Sequence, residues 1–284
     1  MLLELKNINH QINNKQILND INLTFDKGIY ALLGLNGAGK TTLINILSTL
    51  YTPTKGEVLY NGINIIKSQT FLQQDLGYMS QNIGLIQDFT VEQNLYYFGL
   101  LKGCNAKELK QKIITMLNDF DLTAIKNTKI LNLSGGVKQR IGIALALINS
   151  PKIIILDEPL NNLDRHEREK LYFLLKEVSK NCIIIISTHL IDEIETVCDK
   201  VIFITEGETT YFGNLKSSFD NINLAITENI IESISQSELI QKFKLIKTRE
   251  ENNQLIVRHF VSFSDAPYPP NIEDAFVYYT KYTK

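Results

Sequence analysis

This chain of 284 residues has no cationic excess: 29 Lys and Arg stand against 31 Asp and Glu, for a formal net charge of −2. Without a broad positive field, long-range attraction to nucleic acid or to an anionic membrane is not expected. Long apolar runs are also missing. The densest segment, NCIIIIST at 181–188, falls far short of the roughly 20 residues that span a bilayer. The cysteines, Cys104, Cys182 and Cys198, are odd in number and lack metal-ligand spacing. They argue against a disulfide scaffold or a zinc site and suit a reducing compartment. The first residues, MLLELKNINHQI, lack the basic region and apolar stretch of a signal peptide. No repeat or low-complexity tract is evident. A hydrophobic content of 44% with 21% charged residues suits a globular protein that is soluble when isolated, with one good core and room for a small second domain.

LELKNINHQI and ILNDINLTF alternate with period two, as half-buried strands do. IYALLGL at 29–35 reads as a strand buried on both faces. From Thr41 on, Leu43, Ile46, Leu47 and Leu50 fall at helical spacing, and Asn61-Gly62 inside GEVLYNGINI signals a hairpin. Between about 90 and 150 the period is helical. KIIILDEP and NCIIIISTH then read as buried strands flanking the helix HEREKLYFLLKEVSK. Strand, helix and strand in this order predict a largely parallel sheet, hence an α/β class. A soft boundary falls near residue 215. Beyond it ENIIESISQSELIQKFKLI (228–246) predicts a helix, QLIVRHFVSF a strand, and APYPP a break.

The stretch Gly34-Leu35-Asn36-Gly37-Ala38-Gly39-Lys40-Thr41 fits the P-loop pattern, with an apolar strand before it and an amphipathic helix after it. Glycines let backbone N–H groups wrap a phosphate, and the positive end of the helix dipole adds attraction. Lys40 would reach the β- and γ-phosphates, and the Thr41 hydroxyl would hold Mg2+. Ile153–Glu158 delivers two carboxylates at a strand end, where ligands bind in open α/β sheets. There Asp157 would hold Mg2+ through water, and Glu158 would polarise the water that attacks the γ-phosphate. A second glycine-bearing helix start, LSGGVKQR at 133–140, offers Ser134 as an N-cap and free N–H groups to an anion. Each motif alone has a plain structural reading: a tight turn, a solvated acidic strand end, a capped helix.

Together and in order they resemble the ATP-binding-cassette (ABC) ATPases over residues 1 to about 215: GLNGAGKTT, then Gln81 in GYMSQ, LSGGVKQR, IIILDEP, NNLD ending at Asp164, and His189 in STHL. The resemblance implies a P-loop NTPase with a RecA-like mixed sheet core, an antiparallel β subdomain and a helical subdomain at about 86–150. A small accessory α+β domain would follow at 216–284. It also implies a head-to-tail dimer of two nucleotide-binding domains, in which Ser134, Gly135 and Gly136 of one chain meet the γ-phosphate of ATP gripped by the other. Gln81 would then sit near Mg2+ and the attacking water, His189 would hold the γ-phosphate, Thr42 would bond the α-phosphate, and Asp164 would reach across the dimer. Asn36, Gly37, Ala38 and Gly39 would wrap the phosphates. His10, His166 and His259 have no motif context and read as surface or packing residues.

Two positions depart from the family pattern. Ile12 stands where an aromatic residue usually stacks on adenine, so apolar contact would replace stacking. Arg165 stands where a proline is common after the NNLD segment. The narrower resemblance is to the separately encoded ATPase subunits of bacterial drug- and peptide-export transporters, and PNIEDAF at 270–276 resembles a short motif near the end of some of them. The implied function is an ATP-hydrolysing motor, peripheral on the cytoplasmic face of the membrane, that serves a separate transmembrane permease moving drug, peptide or lipid-like substrates. Within QNIGLIQDFTVEQNLYYFGLLKG, Leu85, Ile86, Phe89, Tyr96, Tyr97 and Phe98 would receive that partner, though about half of them are expected to fill the core. The alternative is a non-transport ABC ATPase acting on nucleic acid or ribosomes. A single cassette, no span for a coiled coil and the acidic balance disfavour it.

Overall fold

A computed structural model describes residues 1–231, 244–251, 254–262 and 268–283. Strands β1 (Leu3–Ile12) and β2 (Lys15–Phe25) pair antiparallel, their alternating apolar residues turned inward. Strand β3 (Gly28–Gly34), buried through its middle, leads through the glycine loop into helix α1 (Lys40–Leu47). The hairpin of β4 (Lys55–Tyr60) and β5 (Ile63–Asn64) turns at Asn61 and Gly62, with φ of 50° and 80°. Two successive positive φ values are what a type I′ turn requires. Helix α2 (Gln69–Gln73) then precedes β6 (Leu76–Met79).

Helices α3 (Val91–Leu101), α4 (Ala106–Asp119) and α5 (Gly135–Leu147) follow. After them come β7 (Ile153–Asp157), α6 (Arg165–Ser179), β8 (Ile183–Ser187), α7 (Ile191–Val197), and the hairpin of β9 (Lys200–Thr205) and β10 (Glu208–Asn214). Among the described residues the central sheet has the order β10-β9-β3-β8-β7-β6, all parallel except β10.

Side chains alternate across a strand, so the two faces of this sheet feed two cores. Tyr30, Leu32, Ile153, Ile155, Ile183 and Ile185 face α1 and the antiparallel sheet β2-β1-β4-β5. Ala31, Leu33, Ile154, Leu156, Ile184 and Ile186 face the helical layer, where Ile141, Leu145 and Ile148 anchor α5. This sandwich explains why β7 and β8 are apolar at consecutive positions rather than alternating. The mixed sheet, antiparallel sheet and helical layer are those expected from the sequence.

Helix α8 (Leu215–Asp220) leads into a sheet of β11 (Ala225–Ile231), β13 (Gln254–Val261) and β12 (Lys244–Glu251), in the order β11-β13-β12. The expected helix over 228–246 is therefore corrected. Residues 228–231 and 244–246 are strand, and 232–243 lie outside the described residues. Ile226, Ile230 and Ile231 are β-branched, and Phe260, Ile256 and Leu255 lie opposite them; a partner strand overrides local helical periodicity. Helix α9 (Ile272–Val277), which holds most of the PNIEDAF stretch, packs on α7. Tyr279 stacks on Phe203 of β9 with ring centroids 5.1 Å apart, so this end of the chain shares the main core.

Candidate functional site

The C-terminal ends of β3, β7 and β8 open on one edge of the sheet, where Asp157 lies beside Ser187, Ser187 lies beside Leu32, and β3 runs two residues further to Gly34. Beyond β3 the loop turns tightly, with Ala38 N–H donating to Leu35 O at 3.1 Å. Gly39 has φ of 106°, and a Cβ there would lie 2.8 Å from Leu18 Cδ2, so glycine is required by both conformation and space. Lys40 Nζ folds back onto the loop and donates to Gly34 O at 2.7 Å and Leu35 O at 3.1 Å. Burial pushes its amine below the ordinary lysine range, while the Glu158 and Asp157 carboxylates pull it back up. The cleft beside it encloses 440 Å³ and is lined by Asn36, Gly37, Gly39, Lys40, Thr41, Thr42, Gln81, Asp157 and Glu158, with Lys15 and Ile17 from β2. Backbone amides, two lysines and two carboxylates converging on a polar cleft suit a polyphosphate carried with a hard metal ion.

Asp157 is buried, and Ser187 Oγ donates to its Oδ1 at 2.5 Å. Glu158 has φ of 52°, a left-handed conformation that non-glycine residues seldom adopt. Its N–H donates to Ser187 Oγ at 3.0 Å and Ser187 O at 3.2 Å, and its Oε2 lies 2.8 Å from His189 Nδ1. Such strain costs on the order of 1–3 kcal/mol and persists where surrounding contacts over-determine the position, as at active sites. The turn sets the Glu158 carboxylate between the P-loop cleft and His189.

The second glycine helix start lies elsewhere. Ser134 caps α5, its Oγ accepting from Val137 N at 3.4 Å. Gly136 touches the loop that follows Glu158: a Cβ there would sit 2.6 Å from Asn162 O. Asp164 caps α6 by accepting from Glu167 N at 2.9 Å, and Glu167 pairs with Arg140 of α5 at 3.2 Å. None of Ser134, Gly135, Gly136 and Asp164 lines the P-loop cleft of its own chain. Ala38 is buried beneath the loop.

Ile12 is also not brought to the cleft. It ends β1 opposite Lys15, 38% exposed, and Lys15 and Ile17 form that wall instead. A two-residue hairpin turn separates Ile12 from Lys15, and strand alternation then points Lys15 and Ile17 to the loop. Sequence reading missed this pair, although the period-two pattern of β2 carried the signal. It missed Ser187 as well, which stands two positions before His189 and bonds both Asp157 and Glu158. Of the six residues expected to receive a partner, Phe89, Tyr96 and Tyr97 line a 790 Å³ groove with Leu100, Ile113 and Ile114. Leu85 and Phe98 pack on the core, as Tyr96 also does, and half-buried Ile86 lies outside the groove lining.

A family model described as "ABC transporter" matches residues 18–161, half of the chain. The chain belongs to the ABC transporter ATP-binding family. It is 33% identical over 227 residues to the ABC transporter ATP-binding protein NatA of Bacillus subtilis, covering 76% of this chain and 91% of the relative. The same 33% identity over 249 residues relates it to the methionine import ATP-binding protein MetN 2 of Acinetobacter baylyi, covering 84% and 73%. It spans only 11% of the rat ATP-binding cassette sub-family A member 17, to which it is 35% identical. Its fold superposes on the dimeric bacterial ABC transporter cassette MJ0796 with a TM-score of 0.68 at 28% identity, covering 75% of this chain and 98% of the cassette. This ABC ATPase is thus an ATP-binding, ATP-hydrolysing subunit of a membrane transporter. The narrower expectation of a bacterial export type does not follow, since one relative is an import protein. Among the described residues, no helix is long and apolar enough to cross a membrane.

Proposed function

We propose that two copies of a nucleotide-binding domain, either this chain twice or this chain with a related one, stack head to tail and hydrolyse ATP at shared sites. One observation carries the reading: Ser134–Gly136 form a capped, glycine-lined helix start against Asn162, outside their own chain's P-loop cleft. Free N–H groups there suit an anion that the same chain does not hold. A dimeric cassette of the same fold supports this arrangement.

Lys40, now on Gly34 O and Leu35 O, would exchange those carbonyls for β- and γ-phosphate oxygens. Thr42 would bond the α-phosphate. Thr41, Gln81 and Asp157 offer hydroxyl, amide and carboxylate oxygens, a donor set that fits Mg2+. When bound, the ion supplies charge neutralisation between the phosphates. Glu158 would accept the proton of the attacking water, and His189, now 2.8 Å from its carboxylate, would turn to the γ-phosphate. Asp164 would reach the partner while still capping α6. Closing around ATP and opening after hydrolysis would be converted into transport by a separate transmembrane protein seated in the α3–α4 groove. Residues 1–215 would form the nucleotide-binding unit and 216–284 an accessory one. We propose outward transport of drug, peptide or lipid-like substrates, supported by the PNIEDAF resemblance.

The test pairs Ser134→Arg with Glu158→Gln. Glu158→Gln should bind ATP, lose at least about a hundredfold in kcat and accumulate as an ATP-dependent dimer on size exclusion. Ser134→Arg should bind ATP yet neither dimerise nor turn over. Cooperative hydrolysis by Ser134→Arg would discard the shared site.

A further inference from the structure

The Glu158 peptide is held at both ends. Its N–H is fixed by Ser187, as described above. At the other end its carbonyl accepts from Gln139 Nε2 at 2.9 Å, and at a longer 3.4 Å from Asn161 N–H within its own turn. Gln139 is 5% exposed and sits on α5, five residues after the Ser134 cap. The helix whose start would meet a triphosphate therefore also holds, less than two turns further on, the backbone of the residue that bears the hydrolytic carboxylate.

Two features make this contact more than packing. Glu158 is in a left-handed conformation, so its peptide orientation is imposed by its partners rather than by local preference. A side-chain amide donating to a carbonyl in a buried setting fixes that orientation at little entropic cost once α5 is in place. Second, α5 cannot shift independently of the 158–164 loop. Gly136 meets Asn162 O with no space for a methyl group, and Arg140 pairs with Glu167, which completes the Asp164 capping box. Movement of the helix start must therefore reach Glu158 through Gln139 and this wedge.

We infer that Gln139 is a positioning residue for hydrolysis: it transmits the placement of the Ser134–Gly136 helix start to the Glu158 peptide and so to the water-activating carboxylate. The inference rests on the shared-site reading only for which triphosphate the helix start meets. In a head-to-tail dimer that triphosphate belongs to the opposite site, so seating ATP at one site would align the base of the other.

Gln139→Met keeps the volume and removes the donor. In the full chain its kcat should fall about ten- to a hundredfold, the scale of a roughly 1 Å misplacement, with KM for ATP and ATP-dependent dimerisation unchanged. Gln139→Glu should lose as much at about pH 8, because a carboxylate cannot donate to a carbonyl. Its rate relative to wild type should recover toward about pH 6 as protonation restores a donor, whereas the Gln139→Met ratio stays flat. A Gln139→Met kcat within about twofold of wild type, a KM that rises as kcat falls, or parallel pH behaviour of the two variants would overturn the inference. Failure of the shared site alone shows separately, as cooperative turnover by Ser134→Arg, and leaves the kcat–KM split of Gln139→Met standing.

Discussion

At the residue scale, single side chains here answer for whole loops because the backbone comes so close. Gly136 is the sharpest case: its missing Cβ is what lets α5 rest on Asn162 O. Gly136→Ala introduces a contact of 2.6 Å with a backbone atom that cannot rotate away. It should cost about 1–3 kcal/mol of stability and, by displacing the helix start, lower kcat more than it raises KM. Urea denaturation and steady-state ATPase assays on one preparation separate the two effects. Unchanged turnover in a destabilised protein would mean that this loop contact does not govern hydrolysis.

Elements are tied to each other by polar side chains at their ends. Lys102, at the C-terminus of α3, donates from Nζ to Leu145 O of α5 at 2.8 Å, and burial pushes its amine down to about 8. The unfolded chain keeps that proton up to the ordinary value of 10.5, so between these values the unfolded state binds more protons and stability rises with pH. Unfolding free energy should rise by roughly 2 kcal/mol from about pH 8 to about pH 9.5, relative to Lys102→Met. Equal pH slopes for the two proteins would show that this amine is not desolvated. The same α3 presents exposed Tyr97 and Leu100 to the groove it forms with α4. Tyr97→Asp and Leu100→Asp should leave the ATPase rate of the isolated chain within about twofold of wild type while abolishing co-purification with a membrane partner. Retained co-purification would place the partner elsewhere.

The whole molecule is closed by its far end. Asp274 is fully buried and takes two bonds from Arg258, Nε to Oδ1 at 2.8 Å and Nη2 to Oδ2 at 2.7 Å, and Arg258 also reaches Glu228 at 3.2 Å. Ile272 N–H donates to Glu195 of α7 at 3.0 Å, so the C-terminal helix is bound to the one that follows His189. Asp274→Ala leaves the Arg258 guanidinium without its main counter-charge and should cost about 3–5 kcal/mol. Thermal denaturation of the whole chain measures it; a loss below about 1 kcal/mol would mean that solvent reaches the pair.

The sequence by itself determined the P-loop, the two carboxylates, the capped helix start at Ser134, and a largely parallel α/β sheet. These are local properties: glycine at a positive φ, a cap three residues before an N–H, and apolar period are each written within a few neighbours. Only the tertiary structure decided that Lys15 and Ile17, not Ile12, wall the cleft, that residues 228–231 are strand, and that Gln139 and Ser187 grip the Glu158 peptide. Each of those outcomes depends on partners 19 or more residues away in the chain, or on a turn that shifts which face a strand presents. Periodicity records that a face is buried, but not which atoms meet it.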